Sequence, residues 1–337
     1  MEPSDPKSLR RELPVTEDSS RGPSSLISIV VPAFDEQDNL RALYDELCQE
    51  LQALRWELVF VDDGSSDGTF AVISELAASD ERVRGVKLSR NFGHQPALMA
   101  GLREARGAAV VSMDADLQHP PAAVPELVRH WQNGASIVHT VRGSGEQNWF
   151  KRRTSAWYYR VFSLLSGVPI HEGESDFRLL DREVVAVVVE MEEARPFLRG
   201  LVHWVGYPQV VVPYQVRPRH SGRSHYGLLR MVGLAAAGIT SFSTVPLRIG
   251  ILLGVVTSIG AFVELGYVLW IEWRGETLPG WASVAGLLAL LMGMNFILLG
   301  FLGTYIGQIF ERVQGHPAFL VERRTGKQAR AEPPHES

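Results

Sequence analysis

The chain has 337 residues, a formal net charge of −5, 45% hydrophobic residues and one cysteine. That length holds a large mixed core with residues to spare. The mild acidity argues against a general polyanion-binding surface, and so against nucleic acid as a partner. The lone Cys48 excludes an internal disulfide and fits a reducing compartment.

Residues 1–25 are polar, with Pro and Ser and no apolar run, which predicts a disordered tail without a secretory signal. Leu26–Pro32 reads as a buried strand. Ala33–Asn39 is a loop, and Leu40, Leu43, Leu47 and Leu51 have helical spacing; Cys48 falls in this helix as packing. Glu57–Val61 is a second strand, ending at the turn Asp62–Thr69 that opens another helix. Val83–Leu88 is a third strand, Gly93–Arg103 a helix, Ala108–Met113 a fourth strand and Ser136–Val141 a fifth.

Strands alternating with helices predict an α/β domain over residues 26–226 with a mainly parallel sheet. Ligands of such sheets bind outside the carboxyl ends of the strands. Glu36, Asp63 and Asp116 all fall just past strand ends, so they converge on one edge. A dinucleotide site needs Gly-x-Gly-x-x-Gly after the first strand, and Pro32–Asn39 has no glycine; a Gly-Lys-Ser/Thr phosphate loop is also absent.

The run Asp114-Ala115-Asp116-Leu117-Gln118-His119-Pro120-Pro121 follows the fourth strand. Two carboxylates at i and i+2 form a hard-oxygen site for Mg²⁺ or Mn²⁺, which can hold a diphosphate. Alone, Asp-x-Asp is more often a capped turn. With no glycine-rich loop to cradle phosphates, holding the diphosphate through a cation is the favoured reading. His119, His139, His171, His203 and His220 show no metal-ligand spacing and read as ordinary polar residues.

Lys151, Arg152 and Arg153 sit among Trp149, Phe150, Trp157, Tyr158 and Tyr159. The cluster is either a solvated helix face or a phosphate site at a membrane surface; its place beside the predicted active edge favours the second. Residues 227–244 carry one charge, Arg230, and read as an interfacial amphipathic helix or as an ordinary core helix.

Residues 245–310 are overwhelmingly apolar. Ile249–Trp270 contains one charge, Glu264, and Trp281–Ile309 contains none. Each exceeds the roughly 20 apolar residues needed to cross a bilayer. A short loop joins them into a transmembrane hairpin, with Trp270, Trp273 and Trp281 as interface markers. Arg248 precedes the first span; Arg312, Arg323, Arg324 and Lys327 follow the second; the loop has Arg274 offset by Glu272 and Glu276. This bias places both termini, the α/β domain and a tail over 311–337 in the cytoplasm. Glu264 inside a span is costly unless paired, with Asn295 one partner within reach of the pattern; it is a device for helix or homo-oligomer association. Gly286, Gly293, Gly300, Gly303 and Gly307 offer small faces for the same purpose.

Several runs now point to one family. Val30–Leu40, Val59–Thr69, Leu88–Leu102 and Asp114–Pro121 occur in the order and spacing of family 2 glycosyltransferases. Thr140–Arg152, Ser175–Val185, Thr244–Arg248 and Gly303–Val321 extend the likeness over roughly residues 26–322. Within the family the chain resembles the polyprenyl-phosphate glycosyltransferases: dolichyl-phosphate mannose synthases, bactoprenol glucosyltransferases and undecaprenyl-phosphate 4-deoxy-4-formamido-L-arabinose transferases.

The resemblance implies a GT-A fold and a metal-dependent transfer of a sugar from a nucleotide-sugar donor, a UDP-sugar by the nearest-looking relatives, to a polyprenyl phosphate (undecaprenyl or dolichyl). It implies that Pro32, Phe34, Glu36, Val61 and Asp63 hold the base and ribose, with Asp63 accepting a hydrogen bond from the base. Asp114, Ala115, Asp116 and Gln118 fall at the diphosphate, with Asp114, Asp116 and Gln118 as metal ligands. Arg142, Lys151, Arg152, Arg153 and Arg178 fall where anionic phosphates are expected, and Asp176 near the sugar, as its orienting group or as a base. Two departures stand out. Gly222-Arg223-Ser224-His225-Tyr226 has His225 where the family often has lysine, and His94 stands where bactoprenol glucosyltransferases commonly have lysine.

A phosphate monoester has a second pKa of about 6 and is already a nucleophile at neutral pH. Catalysis then reduces to neutralising the leaving diphosphate and positioning, with inversion at the anomeric carbon. Two rivals are weaker. A processive polysaccharide synthase would carry Gln-x-x-Arg-Trp and more spans, and a non-catalytic scaffold would have lost Glu36, Asp63, Asp114 and Asp116.

Overall fold

A computed structural model describes residues 21–142, 173–191, 198–215, 245–274 and 280–326. The chain forms two compact units, one holding most of residues 1–225 together with 317–337, the other most of 226–316.

In the first unit the described strands form one eight-stranded sheet, ordered β7-β5-β6-β4-β1-β2-β3-β8. The strands are β1 (Ile27–Ala33), β2 (Trp56–Asp62), β3 (Val83–Leu88), β4 (Ala109–Ser112), β5 (Ile137–Arg142), β6 (Glu174–Asp181), β7 (Gln209–Tyr214) and β8 (Val321–Thr325). β1 pairs in parallel with β2 and β4, and β2 with β3. β6 runs antiparallel between β4 and β5, and β8 antiparallel along β3. The five strands read from the sequence are all present, with bounds shifted by a residue or two.

Helices cover both faces, which is why β1 and β2 are buried at every position and lack polar alternation. The side chains still sort with period two. Ile27, Ile29, Val31, Leu58 and Phe60 join one core, with Leu40, Leu43, Leu47 and Leu51 from α1 (Leu40–Glu50) and its C-cap. Val30, Val59 and Val61 join the other, with Ala97, Leu98 and Leu102 of α3 (His94–Glu104) and Val184 and Val188 of α5 (Arg182–Glu190). Burying each such leucine stabilises the fold by roughly 1.5–3 kcal/mol. α2 (Thr69–Ser79) and α4 (Val124–Gln132) complete the layers, and Trp131 of α4 donates from Nε1 to Asp181 at 2.7 Å.

Gly101 lets α3 lie close on the sheet, because a Cβ there would run into Val30 and Val61. That approach carries the start of α3, with His94 and Gln95, to the carboxyl edge of the strands.

Two tail expectations are corrected. The disordered tail does not extend to residue 25: Arg21 contacts Asp181 at 3.2 Å and donates to Ser136 Oγ at 3.0 Å, and Ser25 is buried. The segment 311–337 is not simply a tail either. Phe319 packs on the second core, and Val321–Thr325 zips onto β3 with Lys87–Glu322 at 3.5 Å and Arg324–Glu104 at 2.9 Å. A short, charged edge strand has no apolar run to announce it.

The second unit contains α7 (Val245–Trp273) and α8 (Trp281–Val313). Each is long and apolar enough to cross a membrane, over Gly250–Ile271 and Leu290–Phe310. Ile251, Phe262, Val263, Leu290 and Phe296 are among their many exposed apolar side chains. Gly250 admits Leu298 of the facing helix, since a Cβ would press on its methyl. The expected interfacial helix at 227–244, the cluster Lys151–Arg153 and the Gly222–Tyr226 run lie outside the described residues.

Candidate active site

The loops after β1 and β2 are stitched together. Asp35 takes the unusual φ of 53° and accepts Ser66 N at 2.9 Å, while its own N donates to Ser65 Oγ at 3.0 Å. Glu36 N donates to Thr69 Oγ1 at 2.9 Å, and Glu36 Oε2 accepts Asn39 Nδ2 at 2.5 Å. Asp63, first residue past β2, is buried; its two oxygens accept the backbone N–H groups of Phe92 and Gly93 at 2.8 and 2.9 Å. Burial pushes its carboxyl above the ordinary range, and the two backbone donors oppose that shift. Gly64 sits against the Arg90–Asn91 backbone at φ 70°, where no side chain fits.

β4 ends in the Asp-x-Asp turn. Asp114 N donates to His119 Nδ1 at 2.9 Å, so His119 is neutral with its proton on Nε2, which lies 2.8 Å from Ser175 Oγ. Burial depresses the imidazole further, and its ring stacks on Phe177. His119 therefore ties the turn to β6. Asp116 Oδ1 accepts Gln118 N at 3.1 Å, and Leu117 takes φ 61° to close the turn. Asp114 Oδ1 is buried and lacks a hydrogen-bond partner, the condition a bound cation relieves. The side-chain oxygens of Asp114, Asp116 and Gln118 are of the hard type that Mg²⁺ or Mn²⁺ takes.

Because β6 is antiparallel to β4, with Ser112 opposite Arg178, its first residues arrive at the same edge. Asp176 is held there by Arg199 of α6 (Leu198–Trp204), whose Nε and NH2 each lie 2.9 Å from a different carboxylate oxygen. Arg178 NH2 adds a third contact at 2.9 Å. Burial alone would raise this carboxyl; Arg199, His94 and Arg178 overcome it and hold Asp176 well below the carboxylate range. His94 Nε2 stands 3.6 Å from both Asp114 Oδ1 and Asp176 Oδ2. Burial opposes its charged form, yet those two carboxylates hold the imidazole above its ordinary range.

Comparison with known proteins fits this geometry. A family model described as glycosyl transferase family 2 matches residues 28–188. The uncharacterized glycosyltransferase YkcC of Bacillus subtilis is 36% identical over 89% of this chain and 94% of its own length. The chain belongs to glycosyl transferase family 2.

A bactoprenol glucosyl transferase from a Shigella flexneri prophage is 37% identical over 88% of this chain and 97% of its own. Among solved structures, the glucosyl-3-phosphoglycerate synthase of Mycobacterium tuberculosis superposes with a TM-score of 0.48 at 20% identity, over 64% of this chain and 76% of its own. Membership of the family, together with the mainly parallel sheet described above, gives the fold as GT-A-like, and the protein is a glycosyltransferase.

In this family 2 enzyme the edge brings together Glu36, Asp63, Asp114, Asp116, Gln118, Asp176 and, at the end of β5, the exposed Arg142. Phe34 is 45% exposed and open to a ligand, whereas Val61 is wholly enclosed in the core beneath α3 and Pro32 and Ala115 are buried. Val61 accordingly shapes the site through packing and not by touching a base.

Arg178 also departs from expectation. Its side chain is fully buried between Asp176 and Glu174, so it holds the edge together from below and does not face an acceptor. The expectation that His139 and His203 are ordinary polar residues is likewise too plain. Their rings stack at 4.5 Å beside Glu174, with His203 Nε2 2.8 Å from Oε2 and His139 Nδ1 2.9 Å from Oε1. The three side chains have metal-ligand chemistry. Parallel rings do not aim their lone pairs at one point, however, and Arg178 lies 3.7 Å from the same carboxylate, so the cluster is a buried polar network built on the Arg178–Glu174 ion pair. Sequence reasoning missed Arg199 and Glu174, since neither carries a motif signal until β6 and α6 are placed side by side.

Proposed function

We propose that this glycosyltransferase transfers a sugar from a nucleotide diphosphate sugar, a UDP-sugar, to the phosphate of a polyprenyl lipid at the cytoplasmic face of a membrane. The observation that carries the reading is the acidic edge itself. Asp114 and Asp176 meet around His94, with Asp116 in the same turn as Asp114, in a chain that continues into two exposed apolar helices. The bactoprenol glucosyl transferase relatives support a lipid-phosphate acceptor.

Phe34, Glu36 and Asp63 line the nucleoside end, where Asp63 has lone pairs left for the base after fixing the Phe92–Gly93 backbone. Mg²⁺ or Mn²⁺ held by Asp114, Asp116 and Gln118 would neutralise the leaving diphosphate. The acceptor phosphate is a dianion at neutral pH and needs no strong base. Asp176 fits that chemistry, because a carboxylate so firmly ionised accepts protons poorly and serves to orient its neighbours. Arg142 faces the same edge as an anion contact, joined in this reading by Lys151, Arg152 and Arg153. Direct displacement inverts the anomeric carbon.

The membrane placement draws on connectivity. β8 follows the second apolar helix and belongs to the same sheet as β1–β7, so the chain returns to the side it left. A two-span hairpin does this and a single span does not. Incubating the full chain in detergent with undecaprenyl phosphate and a panel of nucleotide sugars tests the proposal. One donor should yield a lipid monophosphate carrying a single sugar; no lipid product from any donor refutes it.

A further inference from the structure

β6 and α6 are joined by two charged rungs. Arg199 and His203 lie one helical turn apart on α6, so they share a face. Glu174 and Asp176 lie two residues apart on β6 and also share a face. The faces meet as Arg199–Asp176 at the outer end and His203–Glu174 at the inner end, with closest contacts of 2.9 and 2.8 Å. Glu174 accepts because an ionised carboxylate cannot donate, so His203 Nε2 carries the proton. Arg178 bridges the rungs along the strand, touching Asp176 at 2.9 Å and Glu174 at 3.7 Å. Gln95 adds a tie by accepting Leu198 N, at the start of α6, at 3.2 Å.

The inner rung is fully buried, while the Arg199 side chain is 32% exposed. A cation is thus carried to the active edge on a rigid support and still meets solvent. The reaction proposed above brings two anions together. The diphosphate is matched by the cation site at Asp114 and Asp116. The second anion, a phosphate monoester, needs a positive group outside that site. Arg199 qualifies, because Asp176 and His94 stand between it and Asp114.

We propose that Arg199 binds the acceptor's phosphate and that Glu174 and His203 are the positioning pair that holds α6, and so Arg199, against the edge. This rests on the reading of the acceptor as a phosphate. Arg199 supplies planar N–H donors suited to phosphate oxygens, and a lysine there would keep the charge but lose the side-on grip on Asp176.

The test uses the full chain in detergent, with initial rates measured against lipid phosphate and nucleotide sugar separately. Arg199→Gln should raise the acceptor KM tenfold or more and leave the Kd for UDP within twofold; Arg199→Lys should recover part of the loss. His203→Leu should move the acceptor KM in the same direction, and His203→Gln, which keeps an N–H donor, should restore it. Folding of each variant is checked by its thermal midpoint, and if His203→Leu does not fold, the Arg199 pair and His203→Gln carry the test. An unchanged acceptor KM in folded Arg199→Gln overturns the proposal. So does a weakened UDP Kd with an unchanged acceptor KM, which would assign Arg199 to the donor diphosphate. Binding of inorganic phosphate to the UDP-loaded protein separates this inference from its parent. Loss of that binding in Arg199→Gln supports the anion site even if the wild type transfers no sugar to lipid.

Discussion

Arg199 grips Asp176 side-on, two nitrogens against two oxygens at 2.9 Å. A carboxylate held this way is a fixed strut, and its contacts decide where Arg199 and His94 stand. Asp176→Asn should therefore lower kcat/KM by about 10²-fold or more through misplacement, as 1 Å shifts do. The pH dependence of the residual rate should keep its acidic limb, because Asp176 is not the group that titrates there. Loss of that limb in Asp176→Asn would restore the base role.

Asp114 and Asp116 make a sharper test. Asp116→Ala should cut turnover by at least about 10²-fold, the scale for removing one electrostatic stabiliser of a leaving group. Thermal stability should change far less than turnover, because the bond that Asp116 accepts from Gln118 N closes a local turn. Titrating Mn²⁺ into the protein with UDP should show tight binding in the wild type and weak binding in the variant. Equal binding would remove the ligand role.

Much of this site was legible because strand ends announce themselves. Asp63 and Asp114 follow apolar strand runs directly, so their shared edge could be read before any coordinates. The other half was not legible. β6 runs antiparallel, and its Glu174–Asp181 sequence alternates charges that are buried in pairs, so it mimics a polar loop. Arg199 acquires meaning only when α6 is laid beside it. Val61 failed for the opposite reason: a position near a ligand in a family pattern is here part of the sheet's interior.

His94 tests whether positive charge, and not imidazole chemistry, is what the two facing carboxylates require. It stands 3.6 Å from each of Asp114 and Asp176. His94→Lys should keep activity within about tenfold, and His94→Leu should lose about 10²-fold, the low end expected for an active-site electrostatic group. Steady-state kinetics at pH 7.5 decide it; equal losses in both variants would show that the ring itself matters.

Stability should fall with acid. Burial keeps His139 below its ordinary range, so the unfolded chain takes up a proton near pH 6.5 that the folded protein refuses. His119 acts in the same sense. Glu174 is depressed by His139, His203 and Arg178 against the effect of burial, and Asp176 by Arg199 and its neighbours. Their contribution is present above the unfolded carboxylate pKa of about 4 and is lost below it. His94, Asp62 and Asp63, all raised, oppose this by stabilising at low pH, but Asp67 and Asp80, both lowered, join the four groups above and leave six against three. The thermal midpoint should drop from pH 7.5 to 5.5 and faster from 5.5 to 3.5. A midpoint that rises on acidification would contradict the buried network.

β8 offers a last prediction that separates architecture from chemistry. It protects the outer edge of β3 with a backbone ladder, the Ser89 N to Leu320 O bond at 2.9 Å, and ion pairs to Lys87 and Glu104. None of its residues is near Asp114 or Asp176 in the strand order, since β3, β2 and β1 lie between it and β4, and β4 lies further between it and β6. Ending the chain after Gln314 should leave β3 as an open edge and expose the core around Phe319. The expected result is a lower thermal midpoint and faster proteolysis within α2–β3, with kcat per folded molecule preserved. A truncated protein that melts like the full chain would mean that the β8 ladder contributes no stability. One that folds normally yet loses activity would tie β8 to catalysis, against the distance set by the sheet.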